Sequence, residues 1–199
     1  AQFTAVQEKI RALVAGFERN QMIREGVLIT LVGKPNVGKS SIFNAFLERD
    51  RALVSELPHT TRDHLEEVLE IRGFYVRLRD TAGLIATPEQ PLEKMGMDRT
   101  LGALRESDII LYAVDGSQPL TEEDQHVLRN IPTEKQIVVV VNKSDLAAGA
   151  SESALRDLGR GLPLFKVSAK TREGFQLLEE QIVRLLEKET SESGERITK

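Results

Sequence analysis

The run Gly33-Lys34-Pro35-Asn36-Val37-Gly38-Lys39-Ser40 combines the groups needed to hold a chain of phosphates. Glycines let a backbone fold close around an anion, and amide N–H groups at a helix N-terminus point at it. In this spacing Lys39 is placed to reach the β- and γ-phosphates and the Ser40 hydroxyl to ligate Mg²⁺. Asn36, Val37, Gly38 and Ser41 complete the expected contact surface for a nucleoside triphosphate.

Two further motifs carry chemistry. Asp80-Thr81-Ala82-Gly83 ends an expected strand, although Arg79 stands before it where an apolar residue is common. An aspartate there can hold Mg²⁺ directly or through water, and the Gly83 N–H can meet a γ-phosphate. Asn142-Lys143-Ser144-Asp145 follows the most apolar run in the sequence. The Asp145 carboxylate can accept from the N1–H and exocyclic amine of guanine, a donor pair that adenine lacks. Ser168-Ala169-Lys170 would add a backbone N–H to the guanine carbonyl, with Lys143 and Lys170 along the faces of the base. The expected ligand is therefore GTP or GDP.

Thr60-Thr61-Arg62-Asp63 lies where a mobile switch loop is expected, with Thr61 coordinating Mg²⁺ when the γ-phosphate is present. Arg62 is open to two readings, a built-in arginine finger or a solvated partner of Asp63. Leu84 occupies the position where many GTPases place a water-orienting glutamine, and leucine can neither donate nor accept. Either turnover is slow or another polar residue takes over. Glu93, beyond a segment carrying Pro88 and Pro91, is one option as a general base or water-orienting group. A favourable acidic residue in a first helical turn explains it equally well.

These groups need a scaffold that brings distant loops together. Val27–Val32 and Ile137–Val141 read as buried strands. Leu65–Arg72 and Phe74–Asp80 read as a hairpin around Gly73, and Asp108–Val114 and Leu164–Val167 as further strands. Helices are expected from 92 to 106, from Thr121, with Asp124 completing a capping box, to Asn130, and from Glu173 to Lys188. The pattern predicts an α/β fold: a doubly wound, mostly parallel six-stranded sheet with one antiparallel edge strand. Phe3, Val6, Ile10, Leu13 and Phe17 fall at helical spacing, so residues 1–25 read as an amphipathic helix, the stub of an adjacent helical domain. Residues 26–189 form the expected nucleotide-binding domain, and the polar run 190–199 a disordered tail.

In 199 residues, 40% are hydrophobic and 29% charged, a soluble globular profile. The net charge of −4 gives no basic field for nucleic acid. Cysteine is absent, which excludes disulfides and thiolate metal sites and suggests a cytoplasmic setting. No apolar run reaches membrane-spanning length. The sequence opens on Ala1, as an excised piece of a longer protein would.

Arg24-Glu25-Gly26, the phosphate run, Thr-Thr-Arg-Asp, Asp-Thr-Ala-Gly-Leu and Glu93-Lys94-Met95-Gly96-Met97-Asp98-Arg99 together resemble the MnmE (TrmE) family of tRNA modification GTPases. That class, which also holds the Era and Der (EngA) GTPases, has the P-loop NTPase fold with a Ras-like G domain. The resemblance implies a domain that dimerises across its nucleotide face when K⁺ is bound and hydrolyses GTP only then. It implies K⁺ contacts from Asn36 and Thr60 and from the carbonyls of Ser55 and Leu57, and a catalytic role for Glu93 beside Lys39 and Gly83. It also implies that the whole protein acts with an MnmG-type partner on the wobble uridine of certain tRNAs, using a folate domain and a cysteine motif beyond these residues. His59 stands where the family usually has glycine, and the second switch is one residue longer than usual. The alternatives are a ribosome-assembly GTPase of the Der or Era type, or a slow-turnover nucleotide switch.

Overall fold

The computed structural model describes residues 27–50, 66–81, 102–132, 134–159 and 161–196. Strand β1 (Val27–Val32) leads into helix α1 (Lys39–Asp50), followed by strands β2 (Glu66–Ile71), β3 (Phe74–Asp80) and β4 (Ile109–Asp115). Helix α2 (Glu122–Arg129), strand β5 (Gln136–Asn142), helix α3 (Glu152–Gly159), strand β6 (Leu164–Lys166) and helix α4 (Phe175–Arg196) complete the order. Residues 102–106 form a further helical stretch before β4.

The described strands form a six-stranded sheet in the order β2-β3-β1-β4-β5-β6. Every neighbouring pair is parallel except β2 with β3 at the edge. That antiparallel pair turns through Arg72 and Gly73, whose φ values of 49° and 90° suit a two-residue turn matched to strand twist. Arg72 then pairs with Glu180 at 3.0 Å, tying the hairpin to α4.

Alternation along the strands builds two cores, one on each face. Ile109, Leu111 and Ala113 join Ile29, Leu31, Ile42 and Phe46 on the α1 and α4 side. Ile110, Tyr112 and Val114 join Val139, Val141, Leu155 and Leu158 on the α2 and α3 side. Both faces of β4 are covered, which explains its unbroken apolar sequence. Each fully buried isoleucine, leucine or valine among them stabilises the fold by about 1.5–3 kcal/mol. Phe46 meets Phe175 edge-on at 5.3 Å between ring centroids, locking α1 to α4.

Arg79 pairs with Glu66 across the hairpin, as the register of β2 on β3 requires, and also with Glu106 at 2.9 Å. Arg77 is 3.6 Å from the same Glu66. Two differences from the sequence reading stand out. Helix α3 goes unpredicted because it is short, although Ser151 accepts the Ala154 N–H as a cap and Leu155 and Leu158 share its buried face. Helix α4 continues to Arg196, beyond Lys188 where the sequence pattern ends it. Once a packed nucleus exists, each added residue gains a hydrogen bond, so polar residues can prolong it. The helix read at residues 1–25 lies outside the described residues.

Candidate functional site

A parallel sheet gathers loops at the C-terminal ends of its strands, and the predicted groups follow the ends of β1, β3, β5 and β6. After β1 the chain turns through 33–38 and enters α1 at Lys39, so the helix N-terminus opens onto the loop. A Cβ on Gly38, at φ +93°, would lie 2.3 Å from the Asn142 amide nitrogen. The glycine is thus required by close approach as well as by its backbone angle. Asn36, at φ 65°, takes a left-handed conformation that asparagine tolerates.

Asn142 knits the two halves of the site. Its Nδ2 donates to the Val37 carbonyl at 3.0 Å, and its Oδ1 accepts from the Ala169 N–H at 3.0 Å. Lys143 Nζ donates to the Asn36 carbonyl at 3.0 Å and to Asp115 Oδ2 at 2.6 Å. Burial raises the Asp115 carboxyl pKa, but hydrogen bonds from Lys143 and Ser117 outweigh it and hold the group below its usual value. Asp145, exposed at the surface, accepts from the Ser168 hydroxyl at 2.7 Å. Ser168 is fully buried and also accepts from the Thr171 N–H, so the turn presenting Ala169 and Lys170 is fixed from within.

On the phosphate side Lys39 is buried, and its Nζ donates to the carbonyls of Gly33 at 2.9 Å and Lys34 at 2.8 Å. Burial lowers its pKa, and the charge of Asp80 offsets part of that. Ser40 Oγ donates to Asp80 Oδ2 at 2.8 Å, which places two hard oxygen donors side by side at the sheet edge. Thr81, beside Asp80, turns its hydroxyl inward to the Leu31 carbonyl at 2.7 Å and serves the sheet. Ser41 is exposed on the first turn of α1.

Asn36, Val37, Gly38, Lys39, Ser40, Asp80, Asn142, Lys143, Asp145, Ser168 and Ala169 are therefore brought together at one sheet edge, with Lys170 exposed beside them. Ser55, Leu57, Thr60, Thr61, Gly83 and Glu93 lie outside the described residues, as do His59, Arg62 and Leu84. Sequence reasoning missed Asp115 as the partner of Lys143. The signal was present, an acidic residue closing an apolar strand just before Gly116, as Asp80 closes β3. Among the described residues no helix is long and apolar enough to cross a membrane.

The family model described as 50S ribosome-binding GTPase matches residues 28–143, from β1 through the base-side lysine. Among curated proteins the chain is 40% identical over 177 residues to the tRNA modification GTPase MnmE of Natranaerobius thermophilus, covering 89% of this chain and 38% of that protein. It is 42% identical over 179 residues to the MnmE of Aquifex aeolicus, with 90% and 39% covered. The chain thus spans about two fifths of the length of these relatives. Among solved structures, an Aquifex aeolicus Era variant bound to GDP and AlF₄⁻ aligns with a TM-score of 0.60 at 25% identity, over 79% of this chain and 56% of that one. The G domain of the T. maritima FeoB iron transporter aligns at 0.54 and 25% identity, over 80% and 98%. A family match over residues 28–143 and loops that meet at one sheet edge leave a plain conclusion: the chain belongs to this family of GTP-hydrolysing P-loop GTPases, with a G-domain fold.

Proposed function

We propose that the chain is the GTP-binding and GTP-hydrolysing unit of a tRNA modification GTPase of the MnmE type, switched on when two copies pair around K⁺. The observation that carries this is the Asn142 bridge between phosphate loop and base-side loop, in a chain about 40% identical to MnmE proteins over about 90% of its length. The full activity on tRNA belongs to a longer cytoplasmic protein and an MnmG-type partner.

The donor set fits the expected groups. Ser40 and Asp80 offer oxygens of the kind Mg²⁺ prefers, and Thr61 is the third expected ligand. When bound, Mg²⁺ neutralises charge on the β- and γ-phosphate oxygens. Lys39 exchanges the Gly33 and Lys34 carbonyls for phosphate oxygens, and the Gly38 region and the first turn of α1 direct N–H groups at them. Asp145 accepts from the guanine N1–H and amine, while the guanine carbonyl competes with Asn142 Oδ1 for the Ala169 N–H. Lys143, braced by Asp115 and Asn36, lies along the base.

Hydrolysis needs a positioned water and a cation near the transferring phosphoryl group. Glu93 takes the first task in place of a glutamine at Leu84. Asn36, Thr60 and the carbonyls of Ser55 and Leu57 would hold K⁺, which would supply there the positive charge that other GTPases draw from an arginine worth about 10³–10⁵ in rate. The chain with GDP and aluminium fluoride is expected to double in mass by light scattering in KCl and to stay monomeric in NaCl. A monomer in both salts would remove K⁺-dependent pairing from the account and favour a ribosome-assembly GTPase, the reading that the likeness to Era supports.

A further inference from the structure

We propose that Lys34 is a positioning residue for the phosphate loop, held by a partly buried ion pair with the N-terminus of α2. Lys34 Nζ is 2.8 Å from Asp124 Oδ2 and donates to Thr121 Oγ1 at 2.9 Å. The Asp124 side chain is 3% exposed and that of Lys34 18%. The proposal rests on reading residues 33–40 as the phosphate site, and concerns what keeps that loop in shape.

Asp124 performs two tasks with one oxygen. Its Oδ2 accepts from the Thr121 N–H at 2.8 Å and the Thr121 hydroxyl at 3.1 Å, which caps α2. The same atom receives the Lys34 ammonium. Tyr112 fixes Asp124 from the sheet, its hydroxyl donating to the Asp124 carbonyl at 2.7 Å. A cation beside a helix N-terminus is unfavourable on its own, so Asp124 is what makes this seat tenable for Lys34. Removing Lys34 leaves the buried Asp124 carboxylate without its cation, which makes the pair costly to break from that side.

The loop depends on such braces. Asn36 and Gly38 hold left-handed backbone angles, and few of the loop's own hydrogen bonds enforce them. Val37 is held by Asn142, Asn36 by Lys143, and Lys34 by α2. Lys34 also offers its carbonyl to Lys39, so its position helps set where the Lys39 ammonium rests. Lys34 thus points away from the phosphates and, once Lys39 has left its carbonyl for a phosphate, acts through the backbone amides that contact them. A looser loop weakens contacts made equally in the ground and transition states, and such a loss appears in KM rather than kcat.

The test is a titration with fluorescent mant-GDP, paired with GTP hydrolysis kinetics, on the wild type, Lys34→Met, Lys34→Arg, Asp124→Asn and the double variant Lys34→Met/Asp124→Asn. Lys34→Met is expected to raise both Kd and KM about ten-fold while kcat at saturation stays within about two-fold. Lys34→Arg should recover most of that loss, because it keeps the charge and the donors. The double variant leaves no unpaired buried charge and stays informative if Lys34→Met fails to fold. It is expected to bind no more weakly than Asp124→Asn alone, as for two halves of one contact. A double variant weaker than Asp124→Asn by a further ten-fold, or a Lys34→Met with unchanged Kd, would overturn the brace alone. Absence of wild-type binding would overturn the phosphate-site reading along with it.

Discussion

Asn in place of Asp145 is expected to lower affinity for GTP by about 10³-fold and to create affinity for xanthosine triphosphate, from two charge-assisted hydrogen bonds lost and the pattern reversed. The carboxylate accepts from two donors on guanine. An amide turned toward the same edge presents a donor where the base also has a donor, and xanthine, with an oxygen there, restores the match. The fold should survive, because an asparagine Oδ1 can still accept from the buried Ser168 hydroxyl. The check is competitive binding of GTP and XTP to wild type and variant. A variant that keeps its preference for GTP would remove Asp145 from the base site.

Replacing Lys39 with methionine is expected to reduce GTP hydrolysis by about 10³-fold, as loss of a charged donor at a developing anion does. Its effect on stability should be the opposite of damaging. Burial, only partly offset by Asp80, makes the ammonium less comfortable in the fold than in water. The nucleotide-free variant is therefore expected to melt no lower than the wild type at pH 7. The sign follows from proton linkage. With the folded pKa below the usual 10.5, the unfolded chain binds more protons between the two values, and stability rises with pH through that interval. The methionine variant should lack that rise. Melting curves at several pH values, with turnover measured in parallel, separate the two effects. A variant that melts well below the wild type would show that Lys39 is held for the fold.

Much of this site is legible in the sequence because its chemistry is local. Gly33 to Ser40 states its need for a close backbone in its own glycines, Asp80 closes an alternating strand, and Asp145 follows just after the apolar strand β5. Strand positions follow from unbroken apolar runs, since both faces of the central strands are covered. What stays hidden is long-range pairing. Nothing in the sequence near Lys34 names Asp124 as its partner, and nothing near Lys143 names Asp115, because topology alone brings them together. A pairing of Arg79 with Glu66, Glu67 or Glu70 across the hairpin is readable, but the register that selects Glu66 is not, and its second partner, Glu106, comes from a separate helical stretch. Short helix α3 shows the complementary weakness: two buried leucines and a serine cap are too little periodicity to stand out.

Cation-assisted pairing, with Glu93 placing the water, is the proposed switch that would make this domain an active GTPase. It is tested most directly by GTP hydrolysis at high protein concentration, in KCl and in NaCl at equal ionic strength, with Glu93→Ala alongside. The expected rate in KCl is higher by about 10²-fold or more, approaching what an arginine finger supplies elsewhere, with loss of that gain in the alanine variant. Equal slow rates in both salts, or a K⁺ gain that Glu93→Ala retains, would contradict it.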